Sequence, residues 1–448
     1  MASYMEKIAR LQAEIAAAPA GTSARIGLAK STSNLFRDRA RRAKPRIDLK
    51  HFNRVVAFDR EAQTVETEGM TTYAELAAAT LAQGAMPAVV PQLRSITVGG
   101  AMAGVGIEAT SFRQGLVHDT ALALEVLTGD GHVVICTPDN EHRDLFFGFP
   151  NSYGTLGYAL KLTMRTQPVR NFVRVEHARF SVAADCFAAI ARLAAQTGID
   201  FLDGVAFAAD DMVLSTGRFV DDAPAASDYS FEHIYYRSLR ERSTDFLTAE
   251  GYLWRWDTDW FWCSKNVGAQ HPLLRRLYGR KRLNSITYQR LMRWNSRWGI
   301  TRALARMRGE HTESVIQDVD IPLDRAAEFL AFLHAEVGIL PIWLCPIAPP
   351  RPDALFTLYP LSPGTMYVNF GFWDVVATRE PRPVGFCNRK IERKVTELGG
   401  IKSLYSDSYF SEDEFWAIYN RRAYAALKQK YDPAGALGDL YAKTVRRV

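Results

Sequence analysis

Small residues gather in three places along the chain, at 27–34, 95–115 and 154–157. Segments with little side chain leave their backbone N–H groups uncovered, and such amides can approach a diphosphate closely without a lysine cradle. One loop of this kind says little, because glycine loops mostly just turn the chain. Here the three alternate with regular elements in a definite order. A loop precedes a strand–turn–strand–helix, a Gly-rich loop precedes a hairpin, and Gly154-Thr155-Leu156-Gly157 precedes a strand.

Simpler motifs fail. Gly104-Val105-Gly106-Ile107-Glu108-Ala109 matches GxGxxA, but that fingerprint needs a strand before it and a helix opening at its third position. Thr97 to Met102 on one side and Ser111 to Leu116 on the other read as loop. Gly27 to Thr32 hints at a phosphate loop, yet Ala29 stands where the glycine before the lysine belongs. Neither GxSxG nor HExxH occurs, so hydrolase readings have no anchor.

The elements that must position these loops are legible from periodicity. Val55 to Phe58 and Thr64 to Glu68 read as strands around a turn at Asp59-Arg60-Glu61. Thr72 to Gln83 reads as a helix capped by Thr71 or Thr72 and stopped by Gly84. Thr120 to Thr128 and His132 to Thr137 form a hairpin across Gly129-Asp130-Gly131, and Tyr158 to Thr166 closes the unit. Beyond Asn171, helices near 182–196 and 323–337 alternate with strand-like runs at 201–207, 229–236, 313–321 and 366–373. The fold class is therefore α+β, and 448 residues suffice for two cores.

Five scattered cysteines without a CxxC pair argue against a zinc site or a disulfide framework, and for a reducing compartment. Tyr4 to Ala18 reads as an amphipathic helix and not as a signal peptide. No apolar run approaches the ~20 residues that cross a bilayer. The expected location is the cytoplasm, with a peripheral position at the inner face of the membrane. Charge is uneven: between Tyr252 and Arg308, thirteen basic residues face only Asp257 and Asp259, a net of +11 in a chain of +6. That window also holds six of the nine tryptophans. Basic heads with Trp anchors describe attachment to an anionic membrane surface, and a solvated helical face with core tryptophans is the plainer alternative.

The order of loops and strands resembles the FAD-binding domain of the vanillyl-alcohol oxidase/p-cresol methylhydroxylase (PCMH-type) group, with Thr97-Val98-Gly99-Gly100 as its flavin loop. Within that group the chain is similar to delta-24 sterol reductases and to bacterial enzymes that reduce or desaturate methyl- or methylene-branched acyl chains. The shared stretches are Thr97 to Gly100, Gly106-Ile107-Glu108, Gly115-Leu116, Asp144-Leu145-Phe146, Gly154 to Gly157, Pro341 to Pro346 and Glu414-Phe415-Trp416. The resemblance as a whole spans roughly residues 45 to 445. The resemblance implies an N-terminal helix at 1–20, an FAD-binding domain at 21–170, a substrate or cap domain at 171–425 with the basic insertion 252–308, and a C-terminal segment at 426–448 returning to the FAD domain.

Under this resemblance FAD contacts Lys30, Ser31, Thr32, Ser33 and Asn34 in the first loop. In the second it contacts Ser95, Thr97, Val98, Gly99, Gly100, Gly104, Gly106, Ile107, Glu108 and Ser111, and in the third Gly154 and Gly157. The first loop lacks the histidine that tethers the flavin in many relatives, so FAD is expected to be non-covalent; His118 is the remaining nearby candidate. Gln317, Asp318, Trp343, Tyr405 and Tyr409 are the candidates for the catalytic face, with Cys345 beside them. Hydride addition to an alkene needs a proton donor, and Asp318, Tyr405, Tyr409 and Glu108 have the chemistry. Gln317 and Asp318 have a purely structural alternative, pairing at a sheet edge.

The function implied is reduction or desaturation of a carbon–carbon bond in a lipid-like substrate, a branched acyl chain or a sterol-like molecule. Alternatives are a flavin oxidase of an alcohol or sugar that uses oxygen, and a lipid-binding subunit on a flavin fold. NADPH is the electron donor that resemblance implies, although no motif marks a site for it. Nucleic-acid binding fits the charge but not the loop pattern. Bond position, direction of electron flow and oligomeric state have no signature in the sequence.

Overall fold

Alternating apolar residues, tight turns and one capped helix build the first sheet. In the computed structural model, residues 3–16, 27–29, 36–37, 46–298, 303, 305, 307–351 and 355–447 are described. Strands β1 (Val55–Asp59) and β2 (Thr64–Glu68) form a hairpin, followed by α2 (Tyr73–Leu81), with α1 (Tyr4–Ala16) preceding both. Thr72 caps α2 by accepting from the Glu75 amide while Glu75 reaches back to the Thr72 amide, so two orphan donors are satisfied at once. Then come β3 (Ala85–Pro87), α3 (Val98–Ala103), α4 (Ser111–Gln114), β4 (Ala121–Leu127), β5 (Val133–Cys136) and β6 (Tyr158–Pro168). The order is β1-β2-β6-β4-β5, with β3 also on β6 and every pairing antiparallel. Helix α1 lies over this sheet through Leu11 and a buried ion pair, Lys7 Nζ to Glu68 at 2.5 Å.

The second sheet has eight antiparallel strands. These are β7 (Phe172–Phe180), β8 (Phe201–Ala208), β9 (Asp211–Val220), β10 (Thr244–Thr248), β11 (His311–Pro322), β12 (Ile342–Ile347), β13 (Tyr367–Thr378) and β14 (Ile401–Lys402), in the order β10-β7-β9-β8-β12-β13-β11-β14. Two strand faces divide the labour. Val315, Val319 and Ile321 of β11, with Phe370 and Phe372 of β13, pack into a core that also contains Cys186 and Ile190 of α5 (Ala183–Ala194). Phe329 and Leu333 of α8 (Ala326–Glu336) and Ile391 and Val395 of α9 (Phe386–Glu397) complete it. Trp343, Cys345 and Trp373 face the other way, into the core shared with the first sheet.

Three expectations need correction. Thr97 to Met102 and Ser111 to Leu116 are not loop throughout, since short helices occupy Val98–Ala103 and Ser111–Gln114. Residues 229–236 form no strand: Ile234 leads into a short helix at Tyr235–Ser238, and the aromatic rings that suggested β structure pack as side chains, Tyr235 edge-on to Trp256 at 4.9 Å. A strand lies instead at Asp211–Val220, whose polar residues and Gly217 concealed it. The basic window is also not uniformly a surface. Trp254, Trp256, Trp260 and Trp262 are core residues, and Arg255 and Arg275 are buried with them.

Candidate active site

Strand alternation sorts the residues that sequence order had placed side by side. Asp318 pairs with Gly371 of β13, and Gly371 pairs in turn with Trp343 of β12, so the three form a row across one face. Asp320, Asn369 and Cys345 form the next row. Gln317 therefore points away, into the helical layer, where its Nε2 donates to Asn388 Oδ1 at 2.7 Å. A catalytic role for Gln317 on the inner face is corrected by this period of two.

Asp318 is held among aromatic rings. Trp373 Nε1 donates to the Tyr405 hydroxyl at 2.8 Å, and that hydroxyl leans on the Asp318 carboxyl. Burial pushes Asp318 up to about 7, Asp320 adds to the rise, and Tyr405 partly offsets both. Its Oδ1 has no hydrogen-bond partner among the described residues. Gly371 leaves the space in which this oxygen sits: a Cβ there would lie 2.7 Å from Oδ1 and 2.6 Å from the Trp373 ring. A half-buried carboxyl that exchanges its proton near neutrality, with one oxygen unpartnered among the described residues, is suited to general acid–base work.

The surroundings include residues that pattern reading missed. Tyr153 OH lies 3.1 Å from Ser403 Oγ, and its hydroxyl is raised by burial to about 12. Asn151 and Tyr153 both adopt positive φ ahead of Gly154, a local strain that the run Asn151-Ser152-Tyr153-Gly154 could have flagged. Asn151 Nδ2 donates to Leu358 O at 2.8 Å, which ties this turn to the second sheet's loops. Asp320, raised by burial to about 6, accepts from Tyr359 OH and from Asn369 Nδ2, both at 2.8 Å. The i, i+2 spacing of Asp318 and Asp320 was the available signal for a shared face.

The other candidates take separate places. Trp343 Nε1 donates to Asp203 at 3.2 Å, and Cys345 Sγ donates to Glu108 O at 3.2 Å. Glu108 and Asp203 both grip the buried Arg255, at 2.7 and 2.9 Å. Burial works against the Arg255 charge, but these two carboxylates hold its proton firmly. Glu108 is thus tied into a buried ion triad through Oε1, while burial raises its carboxyl and its Oε2 has no partner among the described residues. Tyr409 does not join Asp318. It lines a cavity of about 570 Å³ with Phe36, Arg37, Met292, Ile316 and Arg447. Phe36 separates this cavity from Tyr405, their ring centroids 5.9 Å apart, and its amide donates to Tyr405 O at 2.9 Å.

The glycine loops divide in role. Lys30, Ser31, Thr32, Ser33 and Asn34 lie outside the described residues. The Val98 and Gly99 amides are already used, donating to Thr71 O and Gly69 O at 2.9 and 2.8 Å. Gly99 and Gly106 are needed for close approach within the protein: a Cβ would lie 2.8 Å from Gly69 O or 2.5 Å from Val117. Gly104 accepts from the Asn151 amide at 3.0 Å, and Ile107 O accepts from Gln92 at 2.9 Å. Gly157, at φ +147, passes 2.7 Å from Leu127 O by the same measure. Ser111 Oγ accepts from the Glu108 amide at 3.1 Å, and Gly100 O from the Gly104 amide at 3.1 Å.

What fits FAD is a set of orphaned hydroxyls. Buried Thr71, Ser95, Thr110 and Ser152 carry side-chain oxygens without partners among the described residues, as does the Tyr73 hydroxyl. Each such group costs about 1–3 kcal/mol when left unpaired. They sit on the segments joined by Val98 to Thr71, Tyr73 to Ile96 and Asn151 to Gly104. A long polar cofactor would satisfy them together. His118 is buried edge-on against Phe356, and burial takes its imidazole down to about 3.

This arrangement matches a known model of an FAD binding domain over residues 6–137. The chain carries an FAD-binding domain of the PCMH type in an α+β two-domain flavoprotein fold, and it is an FAD-dependent oxidoreductase. Its similarity extends well beyond that domain. It is 27% identical over 410 residues to the Delta(24)-sterol reductase of Homo sapiens, covering 87% of this chain and 75% of the human one. With the Delta(24)-sterol reductase of Arabidopsis thaliana it shares 24% identity over 434 residues, 89% of this chain and 76% of the plant one. A shorter match, 31% over 147 residues, joins it to cytokinin dehydrogenase 7 of Oryza sativa subsp. japonica, covering 32% and 28% of the two chains.

Proposed function

We propose that this enzyme reduces a carbon–carbon double bond in a lipid-like substrate, with Asp318 supplying the proton. The observation that carries the reading is the Asp318 carboxyl: half-buried, raised by desolvation to about 7, and with Oδ1 unpartnered among the described residues on the inner sheet face. Bound FAD supplies hydride chemistry. The protein's part is to hold the alkene, exclude water and deliver a proton from Asp318 to the carbon that does not receive hydride. Tyr405 and Trp373 are positioning residues; their chain of hydrogen bonds sets the proton affinity and orientation of the carboxyl. The cavity next to Phe36 is of ligand size. Its wall mixes Phe36, Met292, Ile316 and Val384 with arginines and with Glu310, Glu313 and Asp407, the last paired with Arg447 at 3.4 Å, and the apolar part suits a lipid-like chain. The similarity to Delta(24)-sterol reductases supports the same class of bond chemistry.

The experiment is anaerobic mixing of dithionite-reduced enzyme with a methylene-branched phospholipid or an unsaturated sterol across the pH range. Reduction needs the acid form, so re-oxidation by substrate should slow as pH rises through about 7. A rate that instead needs the ionised form, seen as oxidation of the saturated lipid accelerating through the same pH, would replace reduction by desaturation. Hydrogen peroxide release on small polyols, with no reaction on lipids, would replace both by an oxidase.

A further inference from the structure

The tryptophans and cations of the basic window separate into two populations. Trp254, Trp256, Trp260 and Trp262 are interior. The later part of the window is different. Helix α6 (Pro272–Tyr278) exposes Leu273, Leu274 and Leu277, and α7 (Ser285–Trp298) exposes Trp294 and Trp298. Leu277 is 76% exposed, and the two tryptophans 57% and 66%. Large apolar side chains at such exposure on adjacent helices need an explanation that isolated surface residues do not. Tyr278 and Tyr288 join the helices, ring centroids 6.5 Å apart.

Cations lie among them. Arg276, Arg280, Lys281, Arg282 and Arg290 are exposed, and of these only Arg280 forms an ion pair among the described residues, with Asp228 at 3.0 Å. On α7, Arg290, Trp294 and Trp298 follow one another at four-residue spacing and so share a stripe. Buried Tyr288, Gln289 and partly buried Met292 belong to the opposite flank, and Gln289 and Met292 line the cavity beside Phe36. One helix therefore carries the cavity wall on one side and the exposed Arg/Trp stripe on another.

We propose that the exposed apolar and basic surface of residues 272–298 docks the enzyme on an anionic lipid bilayer, with the cavity on the other flank of α7 opening beside the membrane. Charge complementarity selects this occupant. Unpaired arginines and a lysine interleaved with Leu and Trp match a negatively charged interface, where indole rings settle at headgroup level while guanidinium groups meet phosphates. A second copy of the chain would bring like charges together. Only the purpose of the docking rests on the lipid-substrate reading; the binding itself does not.

The test uses the flavin-loaded full chain and sucrose-filled vesicles without substrate. Co-sedimentation is expected with vesicles containing phosphatidylglycerol, and not with pure phosphatidylcholine vesicles, and salt should release the protein. Trp294→Ala with Trp298→Ala should weaken partitioning at least about tenfold. Arg276→Gln with Arg290→Gln should weaken it about fivefold per charge. Turnover of detergent-dispersed substrate should be unchanged in both variants, which also reports that they fold. No association with anionic vesicles overturns the proposal, as does equal binding to neutral ones or indifference to all four substitutions. Retention of RNA without vesicle binding would overturn it in favour of a nucleic-acid surface. Failure of the lipid-substrate reading would show separately, as vesicle binding by an enzyme inert toward lipids.

Discussion

Replacing Asp318 by asparagine removes a proton site whose energetic cost the structure defines. Burial raises the carboxyl from 3.8 to about 7. That is about three pH units at about 1.4 kcal/mol each, so ionising the group inside the fold costs on the order of 4 kcal/mol. The sign follows from proton counting. Between the two values the folded chain keeps a proton that the unfolded chain has released, so this group lowers stability as pH rises toward about 7, and beyond that the loss is complete. Asp318→Asn has nothing to titrate there. From about pH 5.5 to about pH 8.5, the wild type should lose about 2 kcal/mol relative to the variant. Urea unfolding of both proteins at the two pH values, followed by tryptophan fluorescence, measures the difference, in which titrations common to both cancel. The variant should meanwhile lose alkene reduction by about 10²–10⁴-fold. Parallel pH dependence in the two proteins would refute the raised carboxyl, and with it the reasoning that makes Asp318 the acid.

Tyr405→Phe removes the hydroxyl that lowers the proton affinity of Asp318, so the alkaline limb of the pH–rate profile should move to higher pH; an unmoved limb would disconnect the two groups. Arg255→Met strands the Glu108 and Asp203 carboxylates in the interior and should cost roughly 3–5 kcal/mol, read by denaturant unfolding; a loss below about 1 kcal/mol would mean that water reaches the triad. Gly99→Ala drives a methyl against the Gly69 backbone at 2.8 Å and should cost about 1–3 kcal/mol with weaker flavin retention, read by unfolding and gel filtration.

Most of the first sheet was legible because its signals are local, although the short β3 at Ala85–Pro87 carried none. Thr72 and Glu75 cap a helix, Gly129-Asp130-Gly131 turns a hairpin, and alternating apolar residues mark strands. The second sheet was less so. Asp211–Val220 is flanked by strands on both sides, and a Cβ on its Gly217 would meet Phe201 and Val173 at 3.1 Å, a packing requirement that no local pattern reports. The candidate site was legible in residue type and not in geometry. Asp318 and Tyr405 meet because β11 and the turn after β14 pass one another, whereas Gln317, adjacent in sequence, faces the opposite layer. Asn151, Tyr153 and Ser403 are brought together from separate segments by tertiary contacts alone. Composition alone did not divide the Arg/Trp window: four of its tryptophans complete the core, while its later helices expose Trp294 and Trp298.

The central claim is most directly tested by the visible spectrum of the purified enzyme under anaerobic conditions, followed through reduction and then addition of an unsaturated lipid. The expected result is a yellow protein whose flavin bleaches with NADPH or dithionite, regains its colour with the lipid, and yields a product two hydrogens heavier. A reduced flavin that stays bleached in the presence of methylene-branched lipid and unsaturated sterol alike would contradict the account.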